Sequence, residues 1–123
     1  MCKTITIRKD ADTQCFTIPI RRDLGLSAEY MARMLQVSTK TINRWEENEH
    51  IPENLNHDRL LRITKIKEII KLGLEVYTPK GLRNFLFEPQ PGLSYKKPYD
   101  LILSGEYDTV ISALVDDLEG VGL

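Results

Sequence analysis

Cysteine is scarce. Cys2 and Cys15 are the two in 123 residues, too few for a disulfide scaffold, so free thiols in a cytoplasmic protein are expected. Long apolar runs are missing as well. The longest are pieces such as Leu101–Leu103, far below the roughly 20 residues of a membrane span, and the opening Met-Cys-Lys-Thr-Ile-Thr-Ile-Arg-Lys has no signal-peptide core. A soluble chain with no membrane partner is the expectation. Charge of one sign is absent too: 17 Lys/Arg against 18 Asp/Glu leave a net charge of −1. That excludes a histone-like protein holding nucleic acid by bulk charge alone. Metal-ligand spacing is lacking, since His50 and His57 stand alone with no C-x-x-C or H-x-x-x-H pattern. There is no phosphate-cradling glycine loop, and nothing places either cysteine beside a histidine as a thiol nucleophile. Asp116 and Asp117 are adjacent, so on a helix they point in different directions. These absences predict no enzyme, no cofactor and no metal.

What is present fits a small folded chain. Hydrophobic residues make up 41% and charged residues 28%, which argues against wholesale disorder. The length suits one domain or two very small ones, with roughly two-thirds of the unfolded surface buried. The charge is uneven. Residues 1–71 carry 13 Lys/Arg against 10 Asp/Glu, while residues 72–123 carry 4 against 8. A mildly basic first half suits phosphate, and an acidic second half suits protein.

Local signals predict a mainly α protein. Thr4-Ile5-Thr6-Ile7 and Cys15-Phe16-Thr17-Ile18 alternate weakly around a polar stretch, a short hairpin or a loose arm over 1–18. Pro19 suits the first turn of a short helix over Ile20–Leu24, which Gly25 ends. Ser27 caps a helix through Leu35, and Ser38 or Thr39 caps another to about Asn48. After a breaker-rich loop, Asn56 caps a long helix to about Tyr77, with Ile63, Ile66, Ile70 and Tyr77 on one face and Leu60, Leu61, Ile69 and Leu74 widening it. Thr78-Pro79 opens a helix to Phe87, and Pro98 opens one to Leu103. Gly105 precedes a last helix over Glu106–Leu118 with Val110, Ile111, Leu114, Val115 and Leu118 on one side; Gly120-Val121-Gly122-Leu123 is read as a flexible tail. The expected units are 1–18 (arm or hairpin), 19–56 (helix-turn-helix), 57–77 (linking helix) and 78–123 (small helical domain).

The strongest motif is Ala28–Glu47. Two short helices with a three-residue turn make a helix-turn-helix. Met31, Leu35, Ile42 and Trp45 fall at helical spacing to face each other, Val37 plugs the turn, and Ala32 is small at the crossing. The outward edge of the second helix is then Ser38, Thr39, Lys40, Thr41, Asn43 and Arg44. Short donors and long cations suit a major groove: arginine bonds guanine twice, asparagine adenine twice, and hydroxyls a phosphate or base edge. Arg33, with Arg21 and Arg22, would add phosphate contacts. The plain alternative is two packed helices with a solvated basic face.

Leu24-Gly25-Leu26-Ser27, Met31-Ala32-Arg33-Met34-Leu35-Gln36-Val37-Ser38, Thr41-Ile42-Asn43-Arg44-Trp45-Glu46 and Ile51-Pro52 resemble the Xre-like, phage-repressor type of helix-turn-helix. Gln36 replaces the usual turn glycine. Glu29 stands where members often place a glutamine against a phosphate, and an acid there is repelled. Beyond it, Phe85-Leu86, Pro89, Leu93, Pro98, Leu101, Gly105-Glu106, Val110, Leu114 and Glu119-Gly120 resemble the toxin-binding domain of the Xre/MbcA/ParS antitoxin family, with Phe85 in place of the usual tryptophan. The resemblance implies a dimer that represses its own operon by binding operator DNA, and a C-terminal region that covers the active site of an NAD-consuming, RES-type toxin. The residues themselves imply something milder: Glu106, Asp116, Asp117, Glu119, Gly120 and Leu123 form an acidic surface and tail able to meet basic groups of a partner. Deleting Ser104–Leu123 is expected to abolish partner binding and spare DNA binding. A protein-interaction adaptor whose helix-turn-helix no longer reads DNA is the rival reading, favoured by Glu29, the low net charge and the odd N-terminal arm.

Overall fold

The computed structural model describes residues 15–121. Among them seven α-helices follow one another: α1 (Thr17–Leu24), α2 (Ala28–Leu35), α3 (Thr39–Asn48), α4 (His57–Val76), α5 (Pro79–Phe87), α6 (Pro98–Leu103) and α7 (Tyr107–Val121), with a 3-10 turn at Pro91–Leu93 before α6. Among the described residues no strand forms; Gln90 and Lys96 make an isolated antiparallel bridge. The fold is mainly α, as the periodicity predicts.

Four helices start on a polar side chain in extended backbone. Ser27, Ser38, Asn56 and Thr78 each accept the backbone N–H three residues on, satisfying one of the donors a helix start leaves open. These signals are local, which is why the starts of α2, α3, α4 and α5 are readable from sequence.

α4 is the central strut. It packs against α2, α5 and α7, while α6 lies against α2, α5 and α7. Its buried stripe is Ile63, Ile66, Ile69, Ile70 and Gly73. A side chain added at Gly73 would run into Leu82 of α5, so the two helices meet there at the distance only glycine allows. One apolar cluster runs from Cys15 through Met34, Ile42 and Ile66 to Leu86, Ile102 and Leu114. The helix-turn-helix half and the acidic half therefore share a core.

Several expectations need correction. The first helix begins at Thr17, not Ile20. Pro19 sits inside its first turn, and Phe16 holds the cap position without a side-chain bond. Thr17 is fixed from outside the helix: its hydroxyl donates to Glu46 at 2.6 Å, and Arg21 reaches the same carboxylate at 2.5 Å. Thr17 and Ile18 are thus helical rather than the end of a hairpin; residues 1–14 lie outside the described ones. Leu60, Leu61 and Leu74 do not widen the buried face of α4 but are exposed, Leu61 by 43%. They lie off the stripe that α2, α5 and α7 cover. Finally, α7 runs through Gly120 to Val121, so the expected flexible tail is helical over its first two residues; a glycine costs a helix only about 1 kcal/mol and does not forbid it. Leu123 lies outside the described residues.

Candidate functional site

The helix-turn-helix core is apolar. Met31, Leu35 and Ile42 are fully buried, Ala32 and Trp45 nearly so, and Val37 packs half-buried against them. Fixing Ile42 and Trp45 inward fixes the rest of α3 by its 3.6-residue period. Ser38, Lys40, Asn43 and Arg44 are exposed, and Thr39 and Thr41 are half-buried at the helix start. Ser38 also shares a hydrogen bond with the Thr41 hydroxyl at 2.9 Å. Of these six, Ser38, Thr41 and Arg44 line one notch beside α3, while Thr39, Lys40 and Asn43 lie on the same helix but do not line it. Arg33 is exposed on α2. Arg21 is not free for phosphate, because its guanidinium is committed to Glu46 and to the Leu26 carbonyl. Arg22 pairs with neighbouring Asp23 at 3.1 Å in the open. Glu29 is exposed in the first turn of α2, where the helix dipole favours an acid whatever lies outside.

The turn shows how Gln36 replaces a glycine. Its φ of 57° and ψ of 46° are left-handed, a conformation costing a non-glycine residue about 1–2 kcal/mol. Its backbone N–H bonds back onto Ala32 and Arg33 carbonyls, its side-chain Nε2 donates to the Arg33 carbonyl at 2.7 Å, and its own carbonyl accepts from Arg59 at 3.1 Å. These bonds hold the unfavourable backbone in place.

Sequence reasoning missed part of this edge. A notch of about 280 Å³ beside α3 is lined by Ser38, Thr41, Arg44, Asn54 and Arg59 over Trp45 and Leu55. Asn54 and Arg59 come from the loop before α4 and from its first turn. A cation one turn after the Asn56 cap was a visible signal, but only the fold brings it to the start of α3.

The acidic residues are arranged differently. Glu106 precedes α7 and accepts from the Ser104 hydroxyl at 2.9 Å, whereas Asp116, Asp117, Glu119 and Gly120 are exposed near its far end. At 1.5 Å per residue that is a separation of about 15–20 Å, so the structure does not gather the predicted partner residues at one point. Asp117 accepts from the Tyr77 hydroxyl at 3.0 Å. Burial and that carboxylate push the Tyr77 phenol up to about 12. Asp116 lines a shallow groove of about 440 Å³ with Leu93, Asp108, Thr109 and Ser112, and Asp108 is paired with Lys65 of α4 at 2.8 Å. Phe85, the expected aromatic anchor, is buried and stacks on Tyr77 with centroids 5.3 Å apart. The helix-turn-helix meets the second half through a second aromatic set: Tyr30 of α2 lies 5.2 Å from Phe87 and 5.6 Å from Tyr99. Burial raises the Tyr99 phenol, opposed by the nearby charge of Arg33.

Among the described residues no group of three or more His, Cys, Asp or Glu is placed to hold a metal, and no helix is long and apolar enough to cross a membrane. Comparison with known proteins then adds to this geometry. A helix-turn-helix family model matches residues 20–69, covering the last five residues of α1, then α2, α3 and the first part of α4. The mycobacterial cidal antitoxin MbcA of Mycobacterium tuberculosis is 32% identical over 100 residues, covering 80% of this chain and 84% of that protein. The chain belongs to the MbcA antitoxin family. A probable mycobacterial cidal antitoxin of the same organism is 23% identical over 99 residues, covering 80% and 82%. The crystal structure of the M. tuberculosis MbcT–MbcA toxin–antitoxin complex contains a chain similar to this one, with a TM-score of 0.66, 27% identity, and coverage of 84% of this chain and 90% of that one. The antitoxin thus combines an Xre-like helix-turn-helix with a C-terminal helical region, both resting on α4.

Proposed function

We propose that this antitoxin binds operator DNA as a homodimer through α3 and neutralises a cognate toxin of the RES type through α7 and the acidic residues around it. One observation carries the DNA half: Ser38, Lys40, Asn43 and Arg44 stand exposed beside inward Ile42 and Trp45. Asn43 and Arg44 are the base-reading side chains, and Ser38, Thr39, Lys40, Thr41 and Arg33 hold backbone phosphate. A two-fold dimer sets two such helices about 34 Å apart, one turn of DNA. For the toxin half, the support is the acidic outer face of α7 and the likeness to a chain from a toxin–antitoxin complex. We retain 19–56 and 78–123 as the reading and partner regions, joined by the helix of 57–77.

A gel shift on the DNA immediately upstream of the reading frame tests the first half. Arg44→Ala is expected to weaken specific binding by about 1–3 kcal/mol. Wild type and variant binding equally poorly would favour the adaptor reading, for which exposed Glu29 is the specific observation. For the toxin half, deleting Ser104–Leu123 is not a clean test, because Val110 and Leu114 are fully buried in the shared core. Asp116→Lys with Glu119→Lys keeps that core and is expected to abolish co-purification with the toxin encoded in the neighbouring frame. Undiminished co-purification would remove α7 from the interface.

A further inference from the structure

Three arginines from α4 and α5 end on backbone carbonyls of the helix-turn-helix. Arg83 reaches Leu24 and Gly25, at 2.9 and 2.5 Å, and Arg59 reaches Gln36 at 3.1 Å. Arg62 differs from both. Its Nη1 is shared between the carbonyls of Met34 and Ile102, each at 3.1 Å, and its guanidinium lies over the Tyr107 ring, 5.2 Å from the centroid.

The three groups it touches belong to different parts of the molecule. Met34 is in the last turn of α2, two residues before the left-handed Gln36 that turns the chain into α3. Ile102 is in the last turn of α6, and Tyr107 is the first residue of α7. Both carbonyls therefore sit at helix C-termini, where aligned peptide dipoles leave partial negative charge. Two such ends brought together repel, and one cation between them holds both. The neighbouring carbonyls of α2 are satisfied locally, Ala32 by Val37 and Arg33 by Gln36; Met34 receives its bond from Arg62, 28 positions along the chain. A planar guanidinium can bond two carbonyls and stack on an aromatic ring at once, which an ammonium group cannot.

We infer that Arg62 is a positioning residue that couples occupancy of the acidic α7 by a partner to the aim of the reading helix α3. The inference rests on the proposed function, since it needs both ligands. A partner that displaces α6 and α7 moves the Ile102 carbonyl and the Tyr107 ring. The guanidinium follows, and the end of α2 and the turn after it follow the guanidinium. Linkage makes the effect reciprocal: DNA changes affinity for toxin by the factor by which toxin changes affinity for DNA.

The experiment measures operator affinity of the full chain with and without saturating toxin from the neighbouring frame, using duplex DNA from upstream of the gene. The wild-type ratio is expected to depart from one by a factor of about 5–150, the range of coupled sites. Arg62→Met should bring it towards one, and Arg62→Lys should fall between. Ile66→Val, a buried change on the same helix that touches neither carbonyl, should keep the wild-type ratio, which separates positioning from general loss of stability. Adding toxin should also move the backbone amide resonances of Leu35–Val37 in wild type and leave them in place in Arg62→Met. Arg62→Met retaining the wild-type ratio overturns the inference. So does a wild-type ratio of one while DNA and toxin each still bind, and the proposed function then stands. Failure of wild type to bind either ligand overturns that function and this inference with it.

Discussion

α3 and α7 are both half-buried helices, yet they offer opposite chemistry in opposite layouts. α3 crowds short donors and two long cations into its first turns, beside a buried tryptophan. α7 carries Asp108 in its first turn and Asp116, Asp117 and Glu119 together near its far end. The contrast matches what each surface is proposed to meet. Base reading needs a few donors fixed to within fractions of an ångström, and a packed core beneath them supplies that. A protein interface draws on area and complementary potential, and can be long.

The comparison can be broken by substitutions, the largest effect first. Ile42→Ala empties a fully buried position under the reading edge and should cost about 2–5 kcal/mol. Because the two halves share a core, urea unfolding followed by circular dichroism should still show one transition; two transitions would separate the halves. Gly73→Ala attacks the other half, where the new methyl meets the buried Leu82. Overpacking there should cost about 1–3 kcal/mol, partly offset by alanine's better helix propensity, and should weaken toxin binding before DNA binding. Tyr77→Phe is the gentlest. Tyr77 holds its proton more tightly when folded, with its phenol at about 12 against an ordinary 10. Its contribution is therefore whole below pH 10 and lost as pH climbs towards 12. The difference in urea midpoint between wild type and Tyr77→Phe should shrink across that window, and a constant difference would show that neither burial nor the Asp117 contact raises the phenol.

Local chemistry made much of this legible. Ser27, Ser38, Asn56 and Thr78 announce helix starts because a cap acts within three residues. Pro79 and Pro98 do so because their fixed φ suits a first turn. The inward placing of Ile42 and Trp45 followed from spacing alone. The exact start of α1 was not legible: Pro19 allows a first turn without fixing where it begins, and Thr17 is held by Glu46, 29 positions away. The extent of α7 was misjudged because glycine weakens a helix without forbidding it.

The candidate site divides the same way. Its reading edge was visible because one helical period settles which residues face out once the apolar ones face in. Asn54 and Arg59 were not, since the fold alone lays the start of α4 beside α3.

By itself, then, the amino-acid order determined where α2, α3, α4 and α5 start, that Ile42 and Trp45 turn inward, and that a mildly basic half precedes an acidic one. These are effects of neighbours three or four residues apart. Only the tertiary structure decided that the two halves share one core and that arginines of α4 and α5 hold the ends of α1 and α2. Long flexible side chains have many carbonyls within reach, and which of them they find depends on packing that no local spacing records.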